Sequence, residues 1–220
     1  EQVDALHSKT ISTAAKITET KVLEWADKLT TDSKIVKKVY KEKSNVDFEF
    51  FYAPLDIKKF ENLKKKQKKE KQVIFIGRNS HEKGIDIIKE IETKINAKMV
   101  YCTNTKWEDA MENLKASSIL VIPSRMESIP QVIKEAFYLK IPIIATNVGG
   151  IPELITDNKT GILIPPNDPK SLQNGINKLL VDNQTSKRLS DAGYEFVMEN
   201  LTWEVLLPKY VKFYEDLQKS

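Results

Sequence analysis

From residue 73 onward the chain alternates short apolar runs with amphipathic stretches, a rhythm that few folds can accommodate. VIFI (73–76), KMVYC (98–102), ILVI (119–122), IPIIA (141–145) and TGILIPP (160–166) read as strands. They are nearly continuously hydrophobic, as strands are when both faces of a parallel sheet are covered. The segments between them have helical periodicity. IDIIKEIETKI puts Ile85, Ile88, Ile91 and Ile95 on one face, and KWEDAMENLKA does the same with Trp107, Ala110, Met111 and Leu114. QVIKEAFYL is a third helix, and helices take over from DPKSLQNGINKLL to WEVLLPKYVKFYEDL. The expected fold class is α/β, a Rossmann-like parallel sheet with helices on both faces over roughly residues 71–200.

The residues ahead of this pattern supply strand–helix–strand material too short to close a sheet alone. EQVDALHS reads as the end of a strand. AAKITETKVLEWADKL reads as a helix with Ile17, Val22, Trp25 and Leu29 apolar. A short strand at 29–31 precedes Asp32-Ser33, which cap the helix KIVKKVYKE, and FEFFYAPLDIKKF is a strand breaking at Ala53-Pro54. This is a partial second α/β domain, the tail of something larger. The boundaries expected are 1–56 for that remnant, 57–72 for a basic linker, 73–200 for the sheet domain and 201–220 for a last helix.

Composition removes several classes of function. One cysteine and two histidines cannot build a disulfide framework or a Cys/His zinc site, so no metal is expected. No apolar run approaches the roughly 20 residues of a membrane span, and the first residues lack a signal-peptide pattern. A cytoplasmic location is the expectation. The net charge of +4 is concentrated in NLKKKQKKEKQ (62–72). That block reads as a solvated hinge, or as a weak attraction to the anionic inner face of a membrane, worth about 1 kcal/mol per well-placed lysine. Without interleaved aromatics it does not read as a nucleic-acid site.

In open α/β sheets ligands bind beyond the carboxyl ends of the strands. The loop after the first strand, GRNSHEKG (77–84), offers Gly77 for a tight turn and Arg78 and Lys83 beside a helix start. This is either an anion site or a pair of surface charges near a turn. His81 in the same loop is given no role. The next loop lies in PSRMESIPQVIKEAF (123–137). Ser128 with Gln131 fits a capping box, which places the helix start at Ser128, Glu127 just outside it and Glu135 two turns inside. Eight helical steps put the two acids about 12 Å and ~80° apart. They could face one cleft, accepting hydrogen bonds from the hydroxyl-rich ends of a nucleotide-sugar while Arg78 and Lys83 neutralise its diphosphate. The alternative is one acid at a helix N-terminus and one on an exposed face. The third loop, TNVGGIPEL (146–154), is either a strand–turn–helix connector or a cleft floor, with Gly149-Gly150 allowing close backbone approach.

The ordered motifs G-R…K-G, P-S-x-x-E…E-A, P-I-I-A-T-N-x-G-G-x-x-E and T-G-I-L-I-P-P-N-D-P resemble the donor domain of glycosyltransferase family 4, of the GT-B group. The resemblance runs from about Val73 to the final helix, which is similar to the segment that crosses back to the first domain. WADKLTTDSKIVKKV and APLDIKKF resemble the end of the acceptor-side domain. The resemblance implies a retaining, metal-independent glycosyltransferase that moves a sugar from a UDP- or GDP-linked donor to a sugar or lipid-linked acceptor, with no other cofactor. Arg78 and Lys83 are then expected to hold the diphosphate, Glu127 to contact the donor sugar, and Glu135 the ribose. Backbone amides around Ser128, Ile129, Pro130 and Gln131 are expected to face sugar and phosphate, although Pro130 removes one donor where family members often carry glycine. The family usually fits one more strand between KMVYC and ILVI; the segment here is compact, and Thr103 and Asn104 are expected to take over base recognition. His7 falls where the family's acceptor-side histidine could lie, or is an ordinary surface histidine. The chain is expected to be a fragment of a larger enzyme. A non-catalytic nucleotide-sugar-binding module and a sugar-nucleotide epimerase are the rival readings.

Overall fold

The computed structural model describes residues 21–64 and 71–219. The chain forms two compact units, residues 1–51 and 52–220. In the first, residues 21–25 are helical, and β1 (Thr30–Thr31) pairs in parallel with β2 (Glu49–Phe50) across α1 (Lys34–Ser44). Ser33 caps α1 by accepting from the Val36 N–H, as the sequence anticipates, and Asn45 ends it in the left-handed region at φ 51°.

The second unit carries one parallel sheet. Its strands are β3 (Gln72–Ile76), β4 (Lys98–Cys102), β5 (Ile119–Ile122), β6 (Ile143–Thr146) and β7 (Ile162–Ile164), in the spatial order β4-β3-β5-β6-β7. Every neighbouring pair is parallel, with Ile74 opposite both Val100 and Leu120. The helices are α2 (Ile85–Ile91), α3 (Trp107–Lys115), α4 (Gln131–Tyr138), the single turn α5 (Ile151–Leu154), α6 (Pro169–Val181), α7 (Asn183–Asn200) and α8 (Trp203–Leu217). The strand pleat sends alternate residues to opposite faces, and the core divides accordingly. Ile74, Leu120, Ile122, Ile143 and Ala145 bury against Met111 and Leu114 of α3, Ile133 and Phe137 of α4, and Val197 of α7. Val73, Phe75, Ile119, Val121 and Ile144 bury against Ile85, Ile88 and Ile91 of α2 and Leu172, Ile176 and Leu179 of α6. This is the α/β sheet flanked by helices that the apolar runs predict. No described helix is long and apolar enough to cross a membrane.

The expected linker needs correction at both ends. Residues 57–60 form a 3-10 turn capped by Asp56, and Phe60 and Leu63 are buried in the core of the second unit. Gln72 is already in β3. The lysine-rich composition hid two apolar anchors spaced to dock the segment. The segment ahead of the turn is docked as well: Leu55 N–H donates to the Leu201 carbonyl at 2.7 Å, and Tyr210 donates its hydroxyl to the Tyr52 carbonyl at 3.1 Å.

Candidate functional site

Because all strands run the same way, the loops leaving β3, β5 and β6 emerge on one edge of the sheet. After β3 the chain moves to the β4 side, whereas β5 leads towards β6. The crevice between the ends of β3 and β5 is therefore the switch point at which such sheets bind ligands. Here the three loops interlock. Gly84 lies at φ 69°, and a Cβ on it would come within 2.0 Å of the Pro123 carbonyl oxygen. Gly149 lies at φ 52°, and its Cβ would come within 1.8 Å of the Glu127 oxygen. Only glycine combines that backbone conformation with that approach. The β3 loop is thus pressed onto the start of the β5 loop, and the β6 loop onto its end.

At the centre Lys83 Nζ donates to Glu127 Oε1 at 2.6 Å, and Ser124 Oγ donates to the same oxygen at 2.7 Å. The Glu127 side chain is 9% exposed and that of Lys83 22%. Ser124 is fixed in turn, its carbonyl accepting from Thr146 Oγ1 at 2.5 Å. The result is a nearly enclosed ion pair at the strand ends, with a cation that an entering anion could share.

The other expected residues are distributed around this pair. Arg78 begins the same loop but is 75% exposed and meets Glu82 at 3.6 Å. Among the described residues it forms no ion pair with either Glu127 or Glu135. Gly77 N–H donates to the Cys102 carbonyl at 3.2 Å, tying the loop to the end of β4, where Thr103 and Asn104 follow with Asn104 at φ 54°. Ile129 is buried and belongs to the core rather than to an open surface. His7 lies outside the described residues.

The helix start at Ser128 is overturned. α4 begins at Gln131, with Pro130 in the N-cap position at φ −68°, ψ 118° and no side-chain cap. The residue before a proline is driven out of helical conformation, and the Ser128 carbonyl is held close to Gly150. Glu127 therefore belongs to the loop and Glu135 to the helix, and the regular-helix separation worked from the sequence does not apply. Glu135 is half-buried on α4, and Trp107 Nε1 of α3 donates to its Oε1 at 2.7 Å. Burial pushes the Glu135 carboxyl above its ordinary value, while the indole hydrogen bond and the charges of Lys134 and Lys59 pull the other way.

Sequence reading missed Arg125. Its guanidinium forks onto Asp86 at 2.8 and 2.7 Å, donates to the His81 carbonyl at 2.6 Å and reaches Asn167 Oδ1 at 2.6 Å. Its own N–H donates to the Glu82 carbonyl at 2.7 Å. Four of these bonds clamp the turn carrying Lys83 and the start of α2 onto the loop carrying Glu127, and the fifth ties that loop to Asn167 beyond β7. The Arg125 hydrogen bonds hold the Asp86 carboxyl down at about 2. The available signal was an arginine between Ser124 and Glu127 at a strand end; its partners are too distant in the chain for any periodicity to connect them.

Comparisons with known proteins agree with this layout. An uncharacterized glycosyltransferase of Methanocaldococcus jannaschii is 32% identical over 111 residues, covering 50% of this chain and 31% of that protein. The D-inositol 3-phosphate glycosyltransferase of Corynebacterium diphtheriae is 30% identical over 109 residues, covering 50% of this chain and 25% of that protein. The matched half of the chain thus spans about a quarter to a third of the length of these two relatives. Among solved structures, sucrose-phosphate synthase from Thermosynechococcus elongatus superposes with a TM-score of 0.78 at 21% identity, over 92% of this chain and 61% of that one. Anabaena HepE in complex with UDP and glucose gives 0.76 at 14% identity, over 93% and 67%. These structural likenesses establish the GT-B type of fold. Residues 56–196 match the family model described as glycosyl transferases group 1, and the chain belongs to that family.

Proposed function

We propose that this chain carries the donor side of a family 4 glycosyltransferase. It binds a UDP- or GDP-linked sugar and transfers the sugar, with retention and without a bound metal, to a sugar or lipid-linked acceptor. The observation that carries the reading is the Lys83–Glu127 pair at the switch point, with Ser124 on the same carboxylate oxygen. A lysine so placed can neutralise a leaving diphosphate, and a fixed carboxylate beside it can face the sugar as positive charge develops at the anomeric carbon. Glu135 would accept from the ribose hydroxyls, Thr103 and Asn104 would meet the base, and Arg78, free to swing in from the exposed side of its turn, would add a second cation. His7 is the acceptor-side candidate. Structures of Anabaena HepE in complex with UDP, with UDP and glucose, and with UDP-glucose support a nucleotide-sugar partner. The basic segment 62–72 would favour the inner face of a membrane, in a cytoplasmic enzyme of which this chain is one part.

Calorimetric titration tests the assignment. Arg78→Ala and Lys83→Ala should each weaken UDP and GDP far more than uridine and guanosine, because only the former carry the diphosphate. Equal losses for diphosphate and nucleoside would remove both residues from the phosphate role. Incubating the chain with UDP-glucose alone and looking for inversion at a ring carbon separates transfer from epimerisation.

A further inference from the structure

Glu135 is the one acid of the site whose carboxylate is held by an aromatic residue, and that residue is itself braced. Trp107 opens α3. Its ring stands edge-on to Phe60 with centroids 5.1 Å apart at 78°. Phe60 is buried at the end of the 3-10 turn over residues 57–60, where Asp56 Oδ1 accepts from the Lys58 N–H. Just beyond that turn, Lys64 N–H donates to Glu112 Oε1 on α3 at 3.3 Å. The turn is therefore stitched to the helix that presents the indole. An indole N–H can only donate, so it holds Oε1 as an acceptor and restrains the rotation of the carboxylate. Left alone, a half-buried carboxylate would rotate, or take up a proton.

We propose that Trp107 is a positioning residue of the nucleotide site: its N–H occupies one side of Oε1 and aims the remaining lone pairs of Glu135 at the ribose hydroxyls. This rests on the reading that Glu135 holds the ribose. Trp107 touches no substrate in this scheme and acts only through the carboxylate. The other charged groups facing Glu135 are Lys134 on its own helix and Lys59 on the 3-10 turn. They favour ionisation but do not fix orientation.

The test uses the full chain, with UDP and its dideoxyribose analogue as calorimetric probes, on wild type, Trp107→Phe, Glu135→Gln and the double variant. Trp107→Phe keeps the ring against Phe60 and removes only the N–H. It should weaken UDP about tenfold, the scale of a lost hydrogen bond to a charged group, and leave the dideoxy analogue nearly unchanged. The double variant should bind UDP no more weakly than Glu135→Gln alone. Equal losses for both nucleotides, or additive losses in the double variant, would overturn the link. If Glu135→Gln binds UDP as wild type does, the ribose role fails first and the inference fails with it. A measurement that does not depend on the Trp107 variant folding is the indole N–H proton resonance of Trp107. It should move upfield in Glu135→Gln as the charge-assisted bond weakens, and a resonance that stays in place refutes the bond.

Discussion

Gly149→Ala tests the interlocked loops most directly. The new Cβ would lie 1.8 Å from the Glu127 oxygen and 2.9 Å from its carbonyl carbon. Restoring the 3.4 Å of ordinary contact requires the two loops to separate by about 1.6 Å. Holding alanine at φ 52° costs about 1 kcal/mol by itself, and forcing open a packed contact adds typically 1–3 kcal/mol. The sum, about 3 kcal/mol, corresponds to a fall in Tm of about 10 °C for a chain of this size. The atom displaced belongs to Glu127, whose carboxylate meets Lys83 at 2.6 Å. Moving that carboxylate by more than about 1 Å also displaces its partner Lys83, so UDP affinity should fall several-fold. Thermal unfolding and UDP titration of the variant measure both effects. Gly77→Ala is the control: its Cβ meets nothing closer than Phe75 Cζ at 3.2 Å, so a shift of about 0.2 Å restores ordinary contact. Wild-type stability and UDP affinity in Gly149→Ala, or equal damage from Gly77→Ala, would refute the idea that this contact sets the position of Glu127.

Arg125→Ala should lower UDP affinity several-fold while costing only about 1 kcal/mol of stability, because Asp86 is half exposed and the ion pair is screened. The same variant should change the acid limb. A carboxyl held at about 2, below its ordinary 3.8, contributes stability that is present above 3.8 and lost as the pH falls through about 2, so urea midpoints measured across that range should flatten once Arg125 is gone. Glu135 has the opposite sign. Its raised value means that burial disfavours the ionised form, so its contribution to stability declines as pH rises from 4.5 through the raised value, while UDP affinity climbs over the same span. The terminal phosphate titrates at about 6 and affects UDP and the dideoxy analogue alike, so a difference between their pH profiles that vanishes in Glu135→Gln isolates the carboxyl. Lys134 is wholly buried and donates to the Ala53 carbonyl at 2.6 Å. Lys134→Met, which keeps the volume, should change stability by less than about 1.5 kcal/mol, whereas Lys134→Ala should cost about 3 kcal/mol in denaturant unfolding.

The sheet was readable because burial on both faces leaves a signature in every strand, and Val73, Ile74 and Phe75 could each be apolar without choosing a side. The strand-end rule then directed attention to Lys83 and Glu127 before their contact was visible. Three things were beyond the sequence. Ser128 and Gln131 satisfy a capping signature that Pro130 cancels, and the conflict is resolved only by how the Ser128 carbonyl packs on Gly150. Trp107 has the spacing of a core residue, and periodicity registers its ring but not the direction of its N–H. Arg125 meets Asp86 and Asn167 through tertiary closure alone.

The strand order has a consequence for how the chain reaches its native state. A sheet with no antiparallel neighbours contains no hairpin, so no ladder can form until an entire helical crossover has been closed. β3 meets β5 only after the chain has travelled out through β4 and returned. Refolding should accordingly be slow, in the millisecond-to-second range of non-local topologies. During that interval VIFI and ILVI, the most oily pieces of the molecule, have neither neighbour nor cover, and self-association in dilute denaturant should start from these two.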